Sequence, residues 1–447
     1  MQTEDIPGRF TAQNENFLHK RAKSVCKAAY WCYNGLTSFK MKPMEDFMRK
    51  NRLFALLLAL LLPLGGCTPR QGGEASPPDD TQAAQSVPEP KPAPEPVVAT
   101  LAVCGDTMSH MPQTRDAWDG EKYDYSAMLS GARAWTEAAD FAVANLETTF
   151  AGGPDYSGYP AFNTPDELAD NLADMGFDLL LTANNHCMDR GYDGLCRTLD
   201  VLDARGIQHV GTYRTQEERD ADSGVVVADV GGISVAFLGY TYGTNGIPVA
   251  SGRSFSVNLF NTDYMSSCST PDTEKIQADL AAARALDTDL IAVMIHWGLE
   301  YQTAQNDYQE QIASLLFENG ADIILGGHSH VPQPMGLRTV TDENGEEKQG
   351  FVCFSLGNFI SAQNDPYTDT TAVLNLTLTK DMETGETTVS GYGYAPMLML
   401  DRESGADVRF QLLDAQATLD AGGVSEALAA KLRQCIADCH TIFDAAA

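Results

Sequence analysis

The sequence predicts an α/β fold built around a mainly parallel sheet, and three observations lead there. From Val97 onward, apolar runs of strand length alternate with segments of helical pattern, the signature of βαβ units. The runs are continuously apolar, as in strands buried on both faces. Several end on His, Asn or carboxylate residues, where a parallel sheet opens its crevice to a ligand.

In chain order, strands are expected at 98–104, 141–145, 179–182, 208–210, 233–238, 290–295, 323–325 and 351–356. A last one at 372–378 alternates with period two and suits an antiparallel neighbour. Helices fall between them. Thr164-Pro165-Asp166-Glu167 offers an N-cap, a proline at N1 and acids in the first turn, and Gly176 closes the helix it starts. Segment 191–205 sets Leu195, Leu199 and Leu202 on one face before Gly206, and 307–318 does the same with Ile312, Leu315 and Leu316 before Gly320. A final amphipathic helix is expected over 425–443. The Gly and Asp content of 379–424 reads as loops and minor strands, and there is no internal repeat.

Ahead of this globular part, Arg49-Lys50-Asn51-Arg52 precedes an apolar run from Leu53 to Leu64 that is too short for a permanent span. It ends in Leu64-Gly65-Gly66-Cys67, which resembles a bacterial lipobox with Cys67 as the acylated first residue of the mature chain. An export signal works at an N-terminus, so translation is expected to start at Met41, Met44 or Met48. Residues 68–96 are rich in Pro, Ala, Glu, Gln and Gly and have almost nothing to bury, as in an extended tether. The expected organisation is therefore 1–66 extension and lipoprotein signal, 67–96 tether, 97–362 main domain, and 363–447 strands and helix that complete or flank it. The location that follows is extracytoplasmic, on the membrane through a lipid anchor.

Without residues 1–66 the chain carries 20 Lys or Arg against 56 Asp or Glu, a net charge of −36. That excludes nucleic acid as a partner, because such binding rests on clustered basic residues; divalent cations suit it better. Of ten cysteines, seven lie in the globular part without CxxC spacing, so no disulfide framework is expected. Cys104 and Cys353 read as core residues. Cys435 and Cys439, four apart on one helix face, are either a reactive pair or simply small side chains.

Five strand ends carry ligand-type residues: Gly105-Asp106, Asn145-Leu146-Glu147, Asn184-Asn185-His186, His296-Trp297-Gly298 and Gly327-His328-Ser329-His330. Each alone is a weak signal. Together they supply imidazole and oxygen donors for two divalent metals about 3.5–4 Å apart.

In order and content these blocks resemble those of calcineurin-like metallophosphatases, and more closely those of the CapA family of capsule or poly-γ-glutamate synthesis proteins, which share that fold. The match runs through Gly105-Asp106-Thr107-Met108, Ala144-Asn145-Leu146-Glu147, Ala183-Asn184-Asn185-His186 with Asp189 and Gly191, His296-Trp297-Gly298, Gly327-His328-Ser329-His330 and Ser355-Leu356-Gly357-Asn358-Phe359, over about residues 98–362. The resemblance implies a four-layer α-β-β-α sandwich with mixed sheets. It implies that Asp106 and His330 hold one metal and Asn185, His296 and His328 the other, with Glu147 as the bridging carboxylate. The metals would be two divalent ions of Mn, Fe or Zn. His186 would be the acid beside them, and Asn184, Asp189 and Asn358 would orient these groups; Asn358 also suits a tight turn by itself.

The phosphatase pattern is not complete. The histidine of its DxH block is missing, since Asp106-Thr107-Met108 stands there, and Glu147 replaces a shorter aspartate. One metal position is therefore a ligand short; His110 is near in sequence but wrongly spaced. Trp297, Glu300 and Tyr301 either line a groove or pack. His209 reads as structural, and His19 and His440 fall outside the site. The resemblance implies a hydrolase-like, metal-binding protein acting on an anionic surface polymer or its precursor, alongside polymer synthase subunits. The alternatives are a non-catalytic binding or scaffold subunit of such a synthase, and a tethered solute receptor.

Overall fold

The computed structural model describes residues 94–446 except 222, 343 and 403–407. The lipoprotein signal, Cys67 and nearly all of the expected tether lie outside the described residues. The strands are β1 (Val97–Thr107), β2 (Phe141–Leu146), β3 (Leu179–Leu181), β4 (Gln208–Val210), β5 (Val226–Val230), β6 (Ile233–Thr241), β7 (Leu290–His296), β8 (Ile323–Gly327), β9 (Met335–Thr341), β10 (Glu347–Cys353), β11 (Asn358–Ile360), β12 (Thr370–Lys380), β13 (Thr387–Asp401) and β14 (Phe410–Asp414). Helices of eight residues or more are α1 (Glu167–Asp174), α2 (Gly191–Asp203), α3 (Thr273–Arg284), α4 (Asp307–Glu318) and α5 (Glu426–Phe443).

Two mixed sheets form, as the resemblance implies; the apolar runs by themselves suggested a mainly parallel one. The first runs β14-β13-β12-β1-β2-β3-β4, with β11 also beside β1; the second runs β5-β6-β7-β8-β10-β9. In the first, parallel β1-β2-β3-β4 are extended on one side by antiparallel β12, β13 and β14; in the second, a parallel centre has an antiparallel strand at each edge. Alternate residues divide the burial. Leu101 and Val103 of β1 and Val235 and Phe237 of β6 fill one core between the sheets, where the rings of Phe141 and Phe237 stack with centroids 5.7 Å apart. Ala102 and Cys104 point the other way, toward α1 and α2, while Ala236 and Leu238 point toward α3 and α4. The result is four layers, helices outside and sheets within. Each fully buried Leu, Val or Phe contributes about 1.5–3 kcal/mol, so the layering itself is the main source of stability.

The C-terminal strands β12, β13 and β14 extend the first sheet, and α5 adds Leu432, Cys435, Cys439 and Phe443 to the inner core. Both cysteines are buried, each donating its thiol to a main-chain carbonyl, so they are core side chains. The expectation of loops and minor strands over 379–424 understates the segment: β13 is a 15-residue strand and β14 pairs with it. Its solvated half carries Gly391 and Gly393, which erase the period-two signal. Thr164 is not a helix cap; its hydroxyl bonds that of Thr148 at 2.7 Å, and the helix starts at Glu167.

Candidate metal centre

The carboxyl ends of β1, β2 and β3 in one sheet meet those of β7 and β8 in the other. Asp106 pairs with Asn145 in register, and His296 pairs with Gly327. Close approach is possible because of two glycines. A Cβ at Gly327 would stand 2.5 Å from Asp106 Oδ1, and one at Gly326 would stand 2.1 Å from the Phe354 carbonyl oxygen. Beyond them the chain bends through left-handed conformations at His328 (φ 95°) and His330 (φ 60°). Such conformations cost about 1–3 kcal/mol each for a residue with a Cβ. They turn both imidazoles to the same centre, with ring centroids 5.9 Å apart.

Hydrogen bonds tie the sheets together there. Asp106 accepts from the His328 N–H at Oδ2 (3.0 Å) and from Asn145 Nδ2 at Oδ1 (2.8 Å). His296 Nε2 lies 3.0 Å from Asn185 Oδ1, and His330 Nδ1 lies 3.1 Å from Asn358 Oδ1. The Tyr242 ring covers His328 at 4.6 Å between centroids.

Glu147 is the residue to which these contacts point. It is fully buried, yet neither carboxylate oxygen has a hydrogen-bond partner. Its Oε1 stands 3.5 Å from His296 Nε2 and 3.9 Å from His330 Nε2. His328 Nδ1 is likewise buried without a partner. Buried polar atoms left bare cost several kcal/mol unless something pairs with them, and a divalent cation fits this donor set of oxygen and imidazole. Two groups have ligand atoms within 4.8 Å of one another: Glu147 with His328 and His330, and Asp106 with Glu147 and His296. Glu147 belongs to both, and the histidines group around it otherwise than the resemblance implies.

Beside the centre, His186 Nδ1 lies 2.7 Å from Asp189 Oδ2, which also accepts from the Phe162 N–H. The His186 ring meets the Phe162 ring edge-on at 4.8 Å. Asn184 is held by the main chain, accepting from the His186 N–H and donating to the Leu146 carbonyl oxygen. The structure thus gathers Asp106, Glu147, Asn184, Asn185, His186, Asp189, His296, His328, His330 and Asn358 in one place.

Trp297 lines no groove: it is buried against Phe354 and donates its indole N–H to that residue's carbonyl oxygen. Tyr301 is 40% exposed, with its ring 6.0 Å from that of His330. His110 is engaged elsewhere, accepting from the Ala362 N–H, and burial lowers its pKa to about 4. At the position of the absent histidine, Met108 is buried and the adjacent Thr107 hydroxyl has no partner. Asn145 stood in a strand-end block without a role of its own, and Tyr242 and Asn245 stood in none. Tyr242, over the His328 ring, and Asn245, which accepts from Asn185 Nδ2 at 3.2 Å, follow β6, whose end carries no histidine or carboxylate to mark it.

Burial presses the His330 pKa down, but the Glu147 charge, and then the hydrogen bond and charge of Asp106, outweigh it and raise it to about 9. A cation taking a nitrogen of this ring must displace a proton below that pH. Divalent affinity is therefore expected to rise roughly tenfold per pH unit from 6 toward 9 and then to level off. Calorimetric titrations at a series of pH values measure this slope, and a flat profile would exclude His330 as a ligand.

The family described as bacterial capsule synthesis protein PGA_cap matches over residues 100–363. The chain is 28% identical over 247 residues to the PGA biosynthesis protein CapA of Bacillus subtilis (strain 168), covering 55% of this chain and 59% of that one. It is 30% identical over 200 residues to the capsule biosynthesis protein CapA of Bacillus anthracis, covering 44% and 43%. A third relative, the probable polyglutamine synthesis accessory protein Rv0574c of Mycobacterium tuberculosis, is 26% identical over 219 residues, covering 45% and 52%. The chain spans about half the length of these curated relatives. Among solved structures, a phosphatase of Mycoplasma pneumoniae superposes with a TM-score of 0.39 at 11% identity, covering 67% of this chain and 94% of that one. With its match over more than half of the sequence, the chain belongs to the PGA_cap family of bacterial capsule synthesis proteins.

Proposed function

We propose that this protein serves the synthesis, release or export of an anionic surface polymer of the capsule or poly-γ-glutamate kind, through a metal-dependent, hydrolase-like site held outside the cytoplasm by a lipid anchor. The relatives' names point to polymer synthesis. The observation that carries the site is Glu147, a buried carboxylate without a hydrogen bond, facing His296 and His330. Asp106, Glu147, Asn185, His296, His328 and His330 would hold one or two divalent ions of Mn, Fe or Zn. Bound there, such ions would supply Lewis acidity and a water made acidic enough to attack near neutral pH.

The remaining roles fall to the chain itself. Asp189 holds His186 through Nδ1, which leaves Nε2 as the nitrogen that gives a proton to a leaving oxygen or nitrogen. Asn184 holds the main chain of His186, and Asn358 holds the imidazole of His330. Because Met108 occupies the place of a ligand, the centre is incompletely fixed, and a carboxylate of the polymer is suited to fill the gap. The same observation favours a second reading, a binding or scaffold subunit of a membrane polymer synthase.

Protein loaded with Mn, Fe or Zn is expected to hydrolyse an aryl phosphate only weakly and to shorten poly-γ-glutamate, with both activities lost in His186→Ala. Vigorous aryl phosphate hydrolysis would make it an ordinary metallophosphatase; an unchanged polymer with all three metals leaves the scaffold reading. For the anchor, Cys67→Ala is expected to lose metabolic labelling by fatty acid, and retained labelling would contradict a lipoprotein.

A further inference from the structure

Asn145 is assigned no role by the resemblance, yet it lies between the two halves of the centre. Its amide can be oriented without ambiguity. Asn184 is locked by main-chain groups at both ends, with Oδ1 accepting from the His186 N–H at 3.1 Å and Nδ2 donating to the Leu146 carbonyl oxygen at 2.7 Å. The second Nδ2 hydrogen of Asn184 then donates to Asn145 Oδ1 at 3.2 Å. Asn145 must therefore turn its own Nδ2 toward Asp106 Oδ1 at 2.8 Å and His296 Nδ1 at 3.1 Å. An amide nitrogen only donates, so His296 Nδ1 is an acceptor and carries no proton. The proton of the neutral ring is on Nε2, which donates to Asn185 Oδ1 at 3.0 Å.

We propose that Asn145 is a positioning residue that, through this relay from the main chain, holds His296 in the tautomer whose Nε2 lone pair is withheld from Glu147 and Asn185. The inference rests on the reading of this centre as a metal site for its consequence, but not for its first test. Nε2 is the nitrogen that faces Glu147 Oε1, at 3.5 Å. To offer its lone pair there, the ring must move its proton to Nδ1 and give up the bond from Asn145. An aspartate in place of Asn145 reverses the preference. Ionised, or sharing a proton with Asp106, its oxygen accepts from Nδ1–H and leaves Nε2 bare toward Glu147.

The test uses the whole purified protein with its histidine ring nitrogens labelled with 15N. In the metal-free wild type, NMR is expected to show His296 protonated at Nε2 and bare at Nδ1. In Asn145→Asp the pattern should invert, and in Asn145→Leu, which removes the donor without adding charge, the two tautomers should mix. A wild-type proton at Nδ1, or the same spectrum in the Asp variant, would overturn the proposal. Where the Leu variant fails to fold, the near-isosteric Asp variant still decides. Zinc titration gives the consequence: Asn145→Asp should bind at least tenfold more tightly than wild type, and unchanged affinity would overturn it. If no variant binds zinc at all, the metal reading falls, while the ring-nitrogen spectra still judge Asn145.

Discussion

Glu147→Gln is expected to weaken divalent binding at least about a hundredfold while leaving the fold in place. Glutamine fills the same volume, so no cavity opens in the packed space between the sheets. What is lost is the charge shared by both candidate ligand groups. An ion at a hundred times its dissociation constant stabilises the folded state by about 2.7 kcal/mol, which raises the melting temperature. Wild-type protein should show that rise on addition of Mn or Zn and lose it with a chelator. The Gln variant should melt at one temperature with or without metal. An equal metal-induced rise in both would remove Glu147 from the centre.

The second large effect concerns the adjacent glycines, which the structure separates into different kinds of lesion. Gly326→Ala would push a methyl to 2.1 Å from the Phe354 carbonyl oxygen and 2.4 Å from Trp297 Nε1, against main chain that cannot yield cheaply. Overpacking of this kind costs about 1–3 kcal/mol or more, so the variant should melt well below wild type. Gly327→Ala meets the Asp106 Oδ1 carboxylate oxygen at 2.5 Å. A side chain can turn away, so stability should fall less, but Asp106 would leave the centre and metal affinity should drop at least tenfold. Thermal melts of both metal-free proteins with zinc titrations check the contrast. The reverse order, Gly327→Ala the less stable and Gly326→Ala the weaker binder, would contradict the packing argument.

Much of this was legible because the site lies where parallel strands end. The apolar runs leading to Asp106, Glu147, His186, His296 and His328 are long enough to read as buried strands, and the ligand-type residues follow them directly. Two antiparallel strands were less legible. Strand β5 turns into β6 through Gly231 and Gly232, and half of β13 is solvated and glycine-bearing, so neither carries a strong period. Side-chain geometry was not legible at all. No spacing shows that Trp297 turns into the outer core, that Asn145 spans Asp106 and His296, or that Glu147 remains without a hydrogen bond. Those follow from tertiary packing, within a sheet for Trp297 and Phe354 and between the sheets for Asn145 and His296, 151 positions apart.

The metal content of the purified protein tests the central claim most directly. After incubation with Mn, Fe and Zn and removal of free metal, elemental analysis should find one or two divalent ions per chain in the wild type. The His328→Ala/His330→Ala double variant should hold fewer, because these two imidazoles, with Glu147, make up one of the two candidate ligand groups. Wild-type protein that stays metal-free with all three ions, or a double variant that keeps its full complement, would contradict the account.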